Sequence, residues 1–132
     1  MELHNRKARH NYNILETYEA GIKLTGSNVK QIVLHSLDIS SSFCMIENGE
    51  IFVYNIPFSD NQKKKLLMHK KEILKLQIKS LESNLQIIPL LIYDKNNKFK
   101  MLISLAKPKK NYDKRETIKK REIERELRSR IS

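Results

Sequence analysis

A mainly β fold with helices is what this 132-residue sequence predicts: a small closed antiparallel barrel with an inserted helix and a disordered basic C-terminal tail. Three observations carry that expectation. Two-residue periodicity, bounded by turn residues, recurs through most of the first hundred positions. One helical stretch interrupts it late, between Phe58 and Asn84. From Lys107 onward little could bury itself, and eleven cations stand against five acids there, a net +6 on 26 residues. The expected organisation is a barrel over residues 1–106 and a tail over residues 107–132.

The long strand comes first. Over residues 12–24 the even positions read Tyr12, Ile14, Glu16, Tyr18, Ala20, Ile22 and Leu24, while the odd ones are mostly polar. That alternation predicts a half-buried strand with a single inward face. Ala20-Gly21 is placed for the bend or bulge that a small barrel requires. Thr25-Gly26 turns the chain, and Ser27 is positioned to cap a short helix carrying Val29, Ile32 and Val33 on one side. Residues 43–46 and 51–56 then flank Asn48-Gly49, a hairpin signal because both residues tolerate positive φ. Pro57 closes the second of these strands.

After Phe58 the period changes. Ser59 and Gln62 have capping-box spacing, and Leu67, Leu74, Ile78 and Leu81 follow at intervals of seven, four and three, which predicts the apolar face of a helix. Asn84 suits its stop. Residues 87–93 and 99–106 flank a second hairpin at Asp94-Lys-Asn-Asn-Lys98, and Pro89 requires an edge position or a bulge. Short antiparallel strands with a late helix suit an OB-like fold, whose surface commonly binds nucleic acid. In the tail, Ile123, Leu127 and Ile131 fall at i, i+4 and i+8. So thin a stripe does not hold a helix alone, so the tail is expected to be disordered when free and helical on its partner.

Net charge +11 and a pI near 9.8 point to a polyanionic partner. The charge clusters outside the tail too: Lys63, Lys64, Lys65, Lys70, Lys71 and Lys75 oppose only Glu72, and Arg6, Lys7 and Arg9 sit together. Codon bias would scatter lysines; clustering favours a functional surface. No stretch approaches the ~20 apolar residues of a membrane span and the first residues do not resemble a signal peptide, so a cytoplasmic monomer away from membranes is expected. A single cysteine, Cys44, excludes an intrachain disulfide and a multi-Cys zinc site, and its apolar strand makes it a packing residue. His4, His10, His35 and His69 pair with no second ligand at metal spacing, and no phosphate loop or nucleophile–base motif occurs. No metal, cofactor or catalysis is expected. Glu19, on the outer strand face, serves either to balance charge or to accept hydrogen bonds from a base. Tyr112, amid Lys110, Asp113 and Lys114, suits either base stacking or docking.

Ordered blocks then resemble one family. Asn5-Arg-Lys-Ala-Arg-His10, Glu16-Thr-Tyr-Glu-Ala-Gly21, Leu24-Thr-Gly26, Val29-Lys30, Asn48-Gly-Glu50, Lys65-Leu-Leu-Met-His-Lys-Lys-Glu-Ile73, Leu105-Ala-Lys107 and Tyr112-Asp-Lys-Arg115 occur in that sequence. Together they resemble the SmpB family, the SsrA-binding proteins of bacterial trans-translation, over nearly the whole chain. The resemblance implies an OB-like barrel that holds the tRNA-like domain of transfer-messenger RNA. It also implies a basic tail that enters the vacant decoding centre and mRNA channel of a stalled ribosome, so that barrel and tail stand in for a codon–anticodon pair. By this resemblance RNA-binding positions fall on Asn5, Glu19 and Leu67, beside His69 and the phosphate-contacting Lys7, Arg9, Lys70 and Lys71. The decoding-centre tail comprises Lys109, Lys110, Tyr112, the Asp113-Lys114-Arg115 tagging motif and Ile123. Two departures stand out. Val33-Leu34-His35-Ser36 replaces an Arg-x-Gly-Lys-type segment, and Pro108 replaces a customary glycine, which stiffens the tail's entry. The competing expectation is a ribosomal or ribosome-assembly protein whose basic tail threads through rRNA.

Overall fold

A computed structural model describes residues 1–35, 37–110, 121–123 and 125. Its strands are β1 (Glu2–His4), β2 (Tyr12–Ile22), β3 (Phe43–Glu47), β4 (Glu50–Tyr54), β5 (Lys64–Leu67), β6 (Gln86–Lys95) and β7 (Lys98–Pro108). Helices α1 (Ala8–Asn11), α2 (Gly26–His35) and α3 (Lys70–Glu82) lie between them. Neighbouring strands are antiparallel in the order β6-β3-β4-β5-β2-β7, β7 pairs back onto β6, and β1 adds to the other edge of β6. The ring therefore closes, as the sequence predicts. Two seams are thin: Cys44↔Ile87 alone joins β3 to β6, and two pairs join β2 to β5.

Both hairpins form where the turn chemistry puts them. Asn48 and Gly49 adopt φ of 51° and 77°, and Asn96 and Asn97 adopt 53° and 62°, the left-handed pair of a two-residue turn. Asn84 (φ 51°) ends α3, with the Leu85 N–H donating to the Ser80 carbonyl at 2.8 Å. Pro89 sits beside a bulge, the register slipping between Pro89 and Leu91.

Three sequence expectations need correction. First, β2 has two inward faces. Its register slips at Leu15, so Ile14 stands opposite Ala106 whereas Tyr18 stands opposite Ile103. The extra residue flips the pleat, and Tyr12 and Ile14 join an outer cluster with Ala8, Ile88, Leu90 and Ala106, while Tyr18, Ala20 and Ile22 face the barrel interior. Second, Thr25 rather than Ser27 caps α2. The Asn28 N–H donates to Thr25 Oγ1 at 3.1 Å and the Thr25 N–H donates to Asn28 Oδ1 at 3.0 Å, a reciprocal box. Third, the stripe read as the apolar face of the helix is exposed. Residues 64–67 form β5 because the ladders to β2 and β4 claim their backbone. Helix α3 starts at Lys70 and buries Ile73 and Leu76, one turn apart, leaving Leu74, Ile78 and Leu81 outside.

The barrel interior holds Ile51, Val53, Leu66, Met101, Ile103 and Leu105, with Leu76 of α3 and Phe58 also within it. A buried cation lies at its rim: Lys64, 6% exposed, pairs with Asp60 at 2.6 Å, and Asn28 donates to the same carboxylate oxygen at 3.1 Å. These bonds hold the Asp60 carboxyl at about 2, below its ordinary 3.8. Ser59 and Gln62 therefore belong to a turn organised by Asp60, which also accepts the Gln62 N–H.

Candidate nucleic-acid interface

Strand β2 changes partners at Gly21, which pairs with Lys100 of β7 on one side and Leu67 of β5 on the other. A Cβ at Gly21 would lie 3.2 Å from the Leu67 Cβ, so glycine lets the two backbones approach. At this corner a groove of about 500 Å³ opens, lined by Glu19, Gly21, Lys65, Leu67, His69, Lys70 and Lys100, among others. Leu67 is 54% exposed there, an apolar side chain at the mouth of a cleft that mixes Lys65, Lys70 and Lys100 with Glu19, Glu50 and Glu72. Helix α3 begins on the groove's rim. Lys70 and Lys71 share its first turn with Glu72, and the two cations there oppose the helix dipole, so their placement costs helix stability. Lys65 is tied to Glu50 at 3.2 Å.

Glu19 points from the outer face of β2. Its Oε2 accepts a hydrogen bond from the Tyr93 hydroxyl on β6 and lies 3.8 Å from Lys95 Nζ. The Tyr93 bond, then the charges of Lys95 and Lys100, holds the Glu19 carboxyl below the usual range. Burial and the same carboxylate push the Tyr93 hydroxyl up to about 12. A second tie joins helix to strand: Lys79 reaches Glu16 at 2.8 and 2.9 Å, and Tyr18 donates to Glu16 at 2.7 Å. Lys79 and then Tyr18 lower the Glu16 carboxyl.

The structure brings together Glu19, Leu67, His69, Lys70 and, on the same helical turn, Lys71. It leaves Asn5, Lys7 and Arg9 at the opposite end of β2, roughly 30 Å along the strand from Gly21 at ~3.3 Å per residue. There Asn5 is buried. Its Nδ2 donates to the Pro89 carbonyl and its N–H to the Leu90 carbonyl, both at 2.8 Å, so it clamps the β6 bulge. That bond fixes the amide's orientation, and its Oδ1 is left buried without a hydrogen bond among the described residues. A polar cleft of about 220 Å³, lined by Lys7, Asn11 and Ser40–Ser42, adjoins it. Lys7 and Arg9 are exposed around α1. The expected boundary after Ala106 falls inside β7, which continues to Pro108, and the Lys109 N–H then donates to the Asn11 carbonyl at 2.9 Å. Tyr112, Asp113, Lys114 and Arg115 lie outside the described residues, while Ile123 is exposed on a helical segment. Val33 and Leu34, where the resemblance leads one to expect cations, are 54% and 70% exposed.

Lys100, which lines the groove, and Tyr93 and Lys95, which contact Glu19 from β6, are residues that the sequence reading missed. They come from strands distant along the chain, and only the outward parity of Tyr93 and Lys95 on β6 signals them.

Closure, the late helix, the charged corner groove and a net charge of +11 define a basic OB-like barrel protein. The chain belongs to the SmpB protein family, whose sequence model matches residues 2–132. It is 52% identical over 134 residues to the SsrA-binding protein of Persephonella marina, covering 93% of this chain and 88% of that one. With the SsrA-binding protein of Mycoplasmoides gallisepticum it shares 43% identity, covering 96% of each. A solved structure described as "tmRNA-SmpB: a journey to the center of the bacterial ribosome" contains a similar chain, at TM-score 0.69 and 38% identity, covering 83% of this chain and 85% of that one.

Proposed function

We propose that this protein is a non-catalytic RNA adaptor: it binds the tRNA-like domain of transfer-messenger RNA and carries it to stalled ribosomes in the cytoplasm. The carrying observation is the corner groove, which gathers an acceptor (Glu19), an exposed apolar side chain (Leu67) and the cation Lys70, with Lys71 next along the first turn of α3, on a chain 52% identical to an SsrA-binding protein. Each has a job in RNA recognition. Ammonium groups contact phosphates and position the duplex, Leu67 packs on a base or ribose face, and Glu19 accepts from a base edge. The tail, including Lys109, Lys110, Tyr112 and Ile123, is the part that engages the decoding centre and mRNA channel, with Tyr112 stacking on a base. Among the described residues no cluster of His, Cys, Asp or Glu could hold a metal, and no helix is long and apolar enough to cross a membrane.

The experiment is a salt titration of binding to the tRNA-like domain beside an unrelated duplex RNA of equal length. If about five phosphates are contacted, log affinity falls against log salt with a slope of roughly −3.5 to −4.5. Equal affinity for both RNAs would refute the adaptor reading. Removing residues 111–132 is expected to spare RNA binding and abolish peptide tagging.

A further inference from the structure

Glu19 lines the β2–β7 side of a groove that also holds Glu50, Glu72, Lys65, Lys70 and Lys100, and it is not left to move freely. Register puts it opposite Leu102 on β7, while Tyr93 of β6 stands opposite Lys100, two residues along the same face. The glutamate therefore reaches across β7, and the Tyr93 hydroxyl donates to its Oε2. Lys95 approaches that same oxygen at 3.8 Å. Both contacts fall on Oε2, so Oε1 is the oxygen with acceptor capacity to spare. We propose that Tyr93 is a positioning residue for RNA recognition: by holding Oε2 it fixes the Glu19 carboxylate so that Oε1 meets an amino or imino N–H of an unpaired base.

The chemistry follows from the charge balance. An ionised carboxylate only accepts and repels phosphate, so in this setting it discriminates by finding a base donor. A glutamate on an exposed strand loses rotamer freedom when it does so; one already anchored by a half-buried tyrosine loses less. The Tyr93 hydroxyl is the leading influence that lowers the Glu19 carboxyl.

The inference rests on the groove being the RNA site, and a double-mutant cycle separates the two. Affinity for the tRNA-like domain is measured for the parent, Glu19→Ala, Tyr93→Phe and the double variant, with melting temperatures alongside. Tyr93→Phe is expected to weaken binding about five- to tenfold, the scale of one hydrogen bond, with the salt slope unchanged. In the Glu19→Ala background the same change should alter affinity by less than about twofold. In free protein, carbon-13 NMR should find the Glu19 carboxyl titrating at higher pH once Tyr93 is Phe, which tests the hydrogen bond without RNA. If Glu19→Ala weakens binding and Tyr93→Phe does not, the positioning role is wrong and the groove assignment stands. Additive losses would mean that the Tyr93 hydroxyl touches RNA itself, which also overturns it. Should Glu19→Ala bind like the parent, the groove reading and this inference fall together.

Discussion

Single residues decide the rim of this barrel. Lys64 is nearly enclosed, and its ammonium is matched by Asp60, so removing the acid strands a buried cation. Asp60→Asn is expected to lower the melting temperature by roughly 5–10 °C at neutral pH. The pH dependence has a definite sign. Asp60 titrates lower when folded, so its contribution is complete above the unfolded value of 3.8 and disappears as pH falls toward about 2. Parent and variant melting curves should therefore converge across that window, and a gap that persists at pH 2 would contradict the assignment. Cys44 is buried, and burial pushes its thiol far up. It should resist Ellman's reagent at pH 8 in the folded protein and react at once in guanidinium. Its packing role was legible from the apolar strand around it. The Lys64–Asp60 pair was not, because Lys64 reads as one of three consecutive surface lysines until the ladder turns it inward.

At the scale of elements, local signals succeeded where the backbone itself was constrained. Asn48-Gly49 and Asn84 tolerate positive φ and Pro89 lacks a hydrogen-bond donor, and each does in the structure what its chemistry favours. Periodicity failed where a register slip or a competing ladder intervened. The slip at Leu15 lets one alternation serve two cores, and no single-strand pattern reveals that. Helix α3 carries two apolar stripes, and the sequence does not say which one the barrel takes. The structure's answer is testable by truncation. Ile73→Ala and Leu76→Ala should each cost roughly 2–5 kcal/mol, measured by urea unfolding, whereas Leu74→Ala, Ile78→Ala and Leu81→Ala should stay within about 0.5 kcal/mol. Comparable losses from both sets would mean that α3 is rotated.

On the scale of the whole molecule, fold class and the expectation of a polyanion partner followed from composition and clustering, since closure of short strands and an excess of cations need no contact map. Half of the groove was legible too: Glu19, Leu67 and the lysines of α3 lie in matched blocks. Lys100 on its other side, and Tyr93 and Lys95 behind Glu19, meet that glutamate only through the β2–β7–β6 ladder, which no local pattern encodes. The same limit explains Asn5, a residue the motif assigns to RNA and the fold uses to clamp β6. Because the thin β3–β6 seam has one register pair, amide exchange at Cys44 and Ile87 is expected to outpace that of Met101 and Ile103 on β7, an ordering readable by mass spectrometry or NMR.

Nine register pairs lash β2 to β7, and the chain leaves that pair at Pro108, the far end from Gly21. Such a twin-stranded strut acts as a gauge: whatever nucleic acid sits at one tip is kept a fixed stand-off from the place where the cationic trailer departs. The distance from the corner groove to the point where the chain leaves β7 is therefore built into paired strands and does not hang on a loop.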